Sequence, residues 1–268
     1  MPPTSNELRP RPVRVSIPVR VSFAGEAFQI RDFTANLSAG GAFLPTERTV
    51  PVGTRGTLTF RLSQWEEPFT VEAEVAWVAN GHEEEDGGEA APPGLGLRFL
   101  DLGDRHRKRL ERLVEGIQDG SVVQAIRRSL QEDGKHLVEA LRRRPTDQKV
   151  IFAVFAKGVE IDALIREGNP VVTLRLLSNP RLGVPHLRRL LEDPRTPARL
   201  LLAIKKAGRW LADEELRVLF CAHPRVPFAA ALPLLPRLSR PSLLELERRP
   251  GLQAALRSRV QALLARRS

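Results

Sequence analysis

Cysteine is nearly absent. Cys221 is the only one in 268 residues, which excludes a disulfide framework and a thiolate metal cluster. It sits in the apolar run Leu219-Phe220-Cys221-Ala222, where a cysteine reads as a core residue. The histidines, His82, His106, His136, His186 and His223, show no metal-ligand spacing. No apolar run approaches the ~20 residues that span a bilayer. The start, Met1-Pro2-Pro3-Thr4-Ser5, has no apolar segment of the signal-peptide kind, so the expectation is a cytoplasmic protein. No Ser-His-Asp, Cys-His or phosphate-loop pattern occurs, and the carboxylate pairs fall in acidic loops or on solvated helix faces. A binding function without catalysis and without a cofactor is therefore expected. Lysine is also scarce, with six in the chain, so arginine carries nearly all the positive charge behind a net +10. Such a balance invites a phosphate-bearing partner. Coding bias combined with solvated helix faces accounts for it equally, above all for the arginines spread over the C-terminal helices.

What is present falls into two halves. Residues 1–8 read as a disordered lead. Arg9, Arg11 and Arg14 follow, separated by Pro10 and Pro12, which keep the segment extended. From Val13 the pattern alternates: Val13, Val15, Ile17, Val19, Val21 and Phe23 are apolar, while Arg14, Ser16, Arg20 and Ser22 are polar. That is the period of a half-buried strand. A second strand is expected over 27–34. Alternation returns over 55–62 with Leu58, Phe60 and Leu62, and over 69–78 with Phe69, Val71, Ala73, Val75 and Trp77 on one face. Leu95, Leu97 and Phe99 form a last short strand. Many short strands with Gly and Pro turns argue a barrel or sandwich. The loop between the last two strands, 80–93, holds Glu83-Glu84-Glu85-Asp86 and reads as solvated. A helix with Leu110, Leu113, Val114 and Ile117 at helical spacing, capped by Asp101 or Asp104, follows the last strand.

The stretch Asn36-Leu37-Ser38-Ala39-Gly40-Gly41-Ala42-Phe43 organises this half. Asn36 and Ser38 lie two apart, so in an extended segment they share a side. Gly40 and Gly41 permit a turn with positive φ and the close approach of a ligand. Two small hydrogen-bonding side chains beside a glycine turn suit a polar ligand; an ordinary hairpin turn is the plainer reading.

The stretch resembles the Asp/Asn-x-Ser-x-x-Gly signature of PilZ domains, filled by Asn36, Ser38 and Gly41. Around it, in the family's order, come the arginine-bearing segment and first strand over 9–23, Pro51-Val52-Gly53, Glu74-Val75-Ala76-Trp77 and Gly94-Leu95-Gly96-Leu97-Arg98-Phe99. The resemblance covers roughly 9–117. It implies a small antiparallel β-barrel with a closing helix, and cyclic di-GMP as ligand. That nucleotide offers phosphates and guanines, and arginine suits both through its planar fork and flat face. The family's arginine segment wraps the ligand, while its Asp/Asn and Ser contact guanine. The implied ligand set is Arg9, Arg11, Arg14, Asn36, Ser38, Gly40 and Gly41. The arginines depart from the family's Arg-x-x-x-Arg, since no two of Arg9, Arg11, Arg14 and Arg20 are four apart. Arg9 and Arg14 match the outer members of Arg-Arg-x-x-x-Arg, with Pro10 in place of the middle one. Each missing charge-assisted bond costs about 1.5–3 kcal/mol.

From Gly120 apolar residues recur at three and four: Val123, Ile126 and Leu130; Leu137 and Leu141; Val150, Ile151, Val154 and Phe155, with Thr146 as cap; Ile161, Leu164 and Ile165. No strand signal interrupts them, so this half is all-α. The division expected is therefore a 1–8 lead, a 9–119 barrel domain and a 120–268 helical domain, an α+β multidomain chain. Asn179-Pro180-Arg181, Asp193-Pro194-Arg195 and His223-Pro224-Arg225, with Asn169-Pro170 as a partial copy, place a polar residue before proline, as helix starts do; Thr196-Pro197 fits the same arrangement. The spacing is irregular, and the half resembles loose helical repeats of the HEAT or leucine-rich-variant kind. Such stacks commonly bind proteins, whereas a compact bundle would have no binding role of its own. The stretch 252–267, with Arg257, Arg259, Arg266 and Arg267, is amphipathic and reads either as a domain cap or as a surface for anionic membrane.

Together these features point to a cyclic di-GMP-responsive signalling adaptor with a protein partner on its helical half. The alternative is a PilZ-like barrel that has lost its nucleotide and serves as an interaction scaffold. Nucleic-acid binding is disfavoured: there is no recognition-helix motif, and 95–108 holds no aromatic platform beyond Phe99.

Overall fold

The computed structural model describes residues 19–61, 68–80, 92–134 and 136–266. Arg9, Arg11 and Arg14, the lead over 1–8 and the acidic Glu83–Asp86 run lie outside the described residues. The chain divides into two compact units, Met1–Gly134 and Lys135–Ser268.

The first unit is a curled antiparallel sheet. Its strands are β1 (Arg20–Gly25), β2 (Phe28–Phe33), β3 (Asn36–Ser38), β4 (Gly41–Pro45), β5 (Arg55–Arg61), β6 (Phe69–Ala79) and β7 (Gly94–Asp101). They are ordered β2-β1-β5-β6-β7-β4-β3. The alternation seen in the sequence becomes the inner face: Val21, Phe23, Leu58, Phe60, Val71, Ala73, Val75, Leu95 and Leu97 are all buried. Each large side chain so buried contributes about 1.5–3 kcal/mol. Helix α1 (Asp104–Gln118) packs against β3 and buries Leu110, Leu113, Val114 and Ile117. Its N-cap is Gly103, with no side-chain cap bond. Asp104 lies inside the first turn, where it meets the helix dipole rather than a backbone N–H as a cap does. Helix α2 (Ser121–Glu132), which the change of period at Gly120 groups with the helical half, packs on α1 and lies in the first unit.

The second unit consists of α3 (Leu137–Arg143), α4 (Thr146–Phe155), α5 (Gly158–Glu167), α6 (Pro170–Leu176), α7 (Val184–Glu192), α8 (Ala198–Lys206), α9 (Glu214–Ala222), α10 (Phe228–Ala231), α11 (Arg240–Arg248) and α12 (Ala254–Arg266). Short 3-10 turns occur at Arg209–Ala212 and Leu232–Arg237. Helices α3, α5, α7, α9 and α11 stack in order as one layer. Helices α4, α6 and α8, and then α10 with α12, form a second. Ion pairs bind the first layer in repeat register: Asp162 to Arg189 and Arg188 to Glu215, each 27 residues apart. Cys221 is a core residue, and burial pushes its thiol up to about 12.

The proline motifs do something other than start helices. Only Asn169 caps one, accepting from the N–H of Val171 and Val172. Asn179, Asp193 and His223 follow helices, and their side chains accept the N–H two residues on, from Arg181, Arg195 and Arg225. That bond closes an Asx-type turn. Asn179 is fully buried and its amide also donates to the carbonyls of Ala153 and Ala156, at 2.7 and 2.9 Å. The Asn179 and His223 turns each tie one repeat to the preceding one, His223 through its ring nitrogen and the Asp193 carbonyl at 3.0 Å. Thr196 does not cap α8 either, because its hydroxyl donates to the Leu190 carbonyl at 2.6 Å. Nor does Thr146 cap α4; it is that helix's first residue, behind Pro145.

Glu214 joins α9 to the start of α11. Its carboxylate accepts from the Ser239 N–H, with the hydroxyls of Ser242 and Ser239 adding to the hold, and its pKa falls to about 2 against an ordinary 4.5. A depressed carboxylate stabilises the fold above its unfolded pKa, and the gain is lost as pH falls through the folded value. Glu214→Gln is therefore expected to lower the melting temperature at pH 7. The gap should close between pH 4.5 and about 2, as a series of thermal melts would record.

Candidate functional site

Strands β3 and β4 form a tight hairpin with register Asn36↔Phe43, Leu37↔Ala42 and Ser38↔Gly41. Leu37, Ala42 and Leu44 point into the core. Asn36 and Ser38 therefore face outward with Gly41 and Phe43, as their spacing predicts. Their environments differ. Asn36 is half-buried, and its side-chain amide has no hydrogen-bond partner among the described residues. Ser38 is 3% exposed. Its hydroxyl donates to the Gly41 carbonyl at 3.2 Å and accepts from the Gly40 N–H at 3.3 Å. Ser38 thus holds the turn that presents Asn36.

Gly41 is required by space, not by a left-handed backbone. A Cβ there would lie 2.2 Å from the Leu97 carbonyl oxygen on β7, where real contacts do not occur. The Gly40 carbonyl accepts from the Phe99 N–H at 3.0 Å, fastening the turn to the same strand.

Beside the hairpin lies an aromatic surface. Strict alternation assigns Trp77 to the inner face with Val71, Ala73 and Val75. The structure overturns this. The β6–β7 register shifts between Val75 and Trp77, pairing Val75 with Leu97 but Trp77 with Gly96. A bulge inserts one residue and reverses the side on which the next emerges. Trp77 is consequently 43% exposed. It stacks on Phe43 with ring centres 5.1 Å apart and planes 10° from parallel. Gly94 and Gly96 make this possible. A Cβ on Gly94 would lie 2.6 Å from the Phe43 ring, and one on Gly96 2.1 Å from the Trp77 indole nitrogen. Two glycines on the outer face of β7 form a trough in which both rings lie flat. Gly96→Ala is expected to lift the indole, cost about 1–3 kcal/mol by overpacking and red-shift the tryptophan emission.

Charge flanks the trough. Arg98, opposite Gly41 on β7, pairs with Glu74 at 2.8 Å, and Glu74 also meets Arg55 at 3.4 Å. Asn36, Phe43, Trp77 and Arg98 thus occupy one outward face across β3, β4, β6 and β7, with an amide, a π-surface and a cation in adjoining strands. Such a set fits a flat heterocycle bearing hydrogen-bonding edges and an anionic group. Among the described residues no group of His, Cys, Asp or Glu side chains is placed to hold a metal ion. No described helix is long and apolar enough to cross a membrane.

Residues 6–116 match the family model described as PilZ domain. A search of curated proteins gives no match. Among solved structures, the chain is similar to the Bacillus subtilis inhibitor of motility (MotI/DgrA), at 22% identity over 45% of this chain and 57% of that one, with a TM-score of 0.34. It is similar to the Escherichia coli YcgR PilZ domain with c-di-GMP, at 21% identity over 44% of this chain and 97% of that one, TM-score 0.34. Against YcgR in complex with c-di-GMP the figures are 21%, 44% and 50%, TM-score 0.35. The chain thus spans 57% of the MotI/DgrA chain and half of the YcgR chain.

Proposed function

We propose that residues 6–116, which match the PilZ domain model, serve as the nucleotide-binding part of a non-catalytic, cytoplasmic signalling adaptor that binds cyclic di-GMP on the outward face of its sheet. The observation that carries the reading is Asn36: an amide presented by the family's own signature, unpartnered among the described residues, on the same face as an exposed indole with Phe43 between them. Asn36 reads a guanine edge, Trp77 offers it a stacking surface, and Ser38, Gly40 and Gly41 hold the hairpin in register. Arg9, Arg11 and Arg14 supply the phosphate contacts. The helical unit then engages a protein partner.

The test is isothermal titration with cyclic di-GMP, with cyclic di-AMP and GTP as controls. Guanine-specific binding that Arg14→Ala with Ser38→Ala removes is the expected result. Absence of heat, together with an unchanged melting temperature, overturns it. One observation favours a second reading, a barrel that has lost its nucleotide and serves as an interaction scaffold: the Ser38 hydroxyl is buried and engaged within its own turn. Partner binding indifferent to nucleotide is what that reading expects.

A further inference from the structure

The two helical layers of the second unit differ in charge: the first mixes acids with arginines, and the second, beyond α4, carries cations alone. Every carboxylate in helices α5 to α12 belongs to the first layer: Glu160, Asp162, Glu167, Glu192, then the pair Glu214 and Glu215, then Glu245 and Glu247. In α6, α8, α10 and α12 there is none. Of the first layer's acids, Asp162 and Glu215 pair across the stack with Arg189 and Arg188, Glu245 with Arg249 just past α11, and Glu167 with Lys149 of α4. Beyond α4, which carries Asp147, the second layer has cations without acids.

Those cations share helix stripes with exposed apolar groups. On α8, Arg199, Leu202 and Lys206 are exposed at i, i+3 and i+7, while Leu200, Leu201 and Ile204 face the core. On α12, Ala255, Arg259, Ala262 and Arg266 are exposed at i, i+4, i+7 and i+11, opposite buried Leu256 and Val260. Each set spans one narrow face of its helix. None of Arg199, Lys206, Arg259 and Arg266 has a carboxylate partner among the described residues. Val171 on α6 and Phe228 on α10 add apolar surface to the same layer, both 38% exposed, against 43% for Leu202.

We propose that the outer face of this second layer docks an acidic amphipathic helix of a partner protein. The inference rests on the assignment of the helical unit to partner binding and names that partner's chemistry. An aliphatic residue framed by cations at three- and four-residue spacing complements a helix with apolar residues at that spacing and Asp or Glu beside them. The missing carboxylates remove the repulsion that would otherwise turn such a helix away, and the cations raise its rate of encounter. A bilayer is the poorer occupant. Leu202 is a single large apolar residue between Arg199 and Lys206 on its exposed stripe, not the continuous apolar face that an interfacial helix buries.

The test is selection from a displayed library of randomised helical peptides on the full chain. Enrichment of peptides with aliphatic residues three and four apart, flanked by Asp or Glu, is the expected result. Their affinity should fall about tenfold with Leu202→Glu and with the charge-only pair Arg199→Glu and Lys206→Glu, and should be unmoved by Arg166→Glu on the first layer. Enrichment without acids, no enrichment, or affinity that survives both variants overturns the proposal. So does binding to phosphatidylglycerol vesicles that the same variants abolish, which would make the face a membrane surface. Melting temperatures confirm that the variants fold. Titration of the same preparation with cyclic di-GMP separates the failures: heat without peptide enrichment sinks the docking face alone, and enrichment without heat sinks the nucleotide reading alone.

Discussion

Asn36→Ala is expected to weaken cyclic di-GMP binding by about five- to a hundredfold while leaving the melting temperature nearly unchanged. The range follows from the worth of one amide on a base edge, about 1–3 kcal/mol, at about 1.4 kcal/mol per factor of ten. Stability is spared because the amide makes no hydrogen bond among the described residues and is only half-buried. Ser38→Ala should behave differently. Its hydroxyl satisfies the Gly40 N–H and binds the Gly41 carbonyl, so its loss leaves a backbone group short of a partner and costs about 1–3 kcal/mol of stability. Affinity falls with it, because the turn no longer holds Asn36 in place. Trp77→Ala removes a stacking surface worth about 1–3 kcal/mol per base and uncovers Phe43. Calorimetry and thermal melts on the three variants resolve these signatures. An Asn36→Ala protein that binds as tightly as the unaltered chain would remove Asn36 from the site.

The largest loss of stability is expected from Lys149→Met. Lys149 and Glu167 pair at 2.6 Å with side-chain exposures of 5% and 7%. Removing one member strands the other's charge away from water, which costs about 3–5 kcal/mol. The second carboxylate oxygen of Glu167 accepts from the Asn169 N–H at 3.1 Å, and Asn169 caps α6 while its amide donates to Thr146 on α4. One ion pair therefore anchors the joint between α4, α5 and α6. Adding Glu167→Leu to Lys149→Met should restore part of the loss, since an apolar pair leaves no buried charge; the Asn169 N–H left without its acceptor keeps recovery incomplete. The urea midpoints of the two single variants and the double variant measure the coupling. A Lys149→Met midpoint within error of the unaltered chain would show that water reaches the pair.

Local chemistry was legible from the chain alone. The alternation ending in Val19, Val21 and Phe23 announces a strand because side chains in an extended backbone point to opposite faces in turn. The recurrence of Leu110, Leu113, Val114 and Ile117 announces a helix for the equivalent reason at 3.6 residues. The signature Asn36-x-Ser38-x-x-Gly41 marked the hairpin and its outward pair, and Leu95, Leu97 and Phe99 marked the last strand before the helices begin. These are short-range regularities, and a sequence displays them directly.

Partners brought together from far along the chain decided the rest. Trp77 turned outward because β6 slips one residue against β7, a choice made by Gly96 nineteen positions on. Gly41 is glycine because the Leu97 carbonyl occupies the space of its Cβ. Asn179 and His223 looked like helix caps and became buried ties between repeats, since only the stack supplies the carbonyls of Ala153, Ala156 and Asp193. The sorting of carboxylates from α5 onward into one layer was invisible along the chain, where acidic and acid-free helices simply interleave. A sequence specifies which face of each element avoids water; which faces then meet depends on register and stacking, set by contacts between distant residues that no local period encodes.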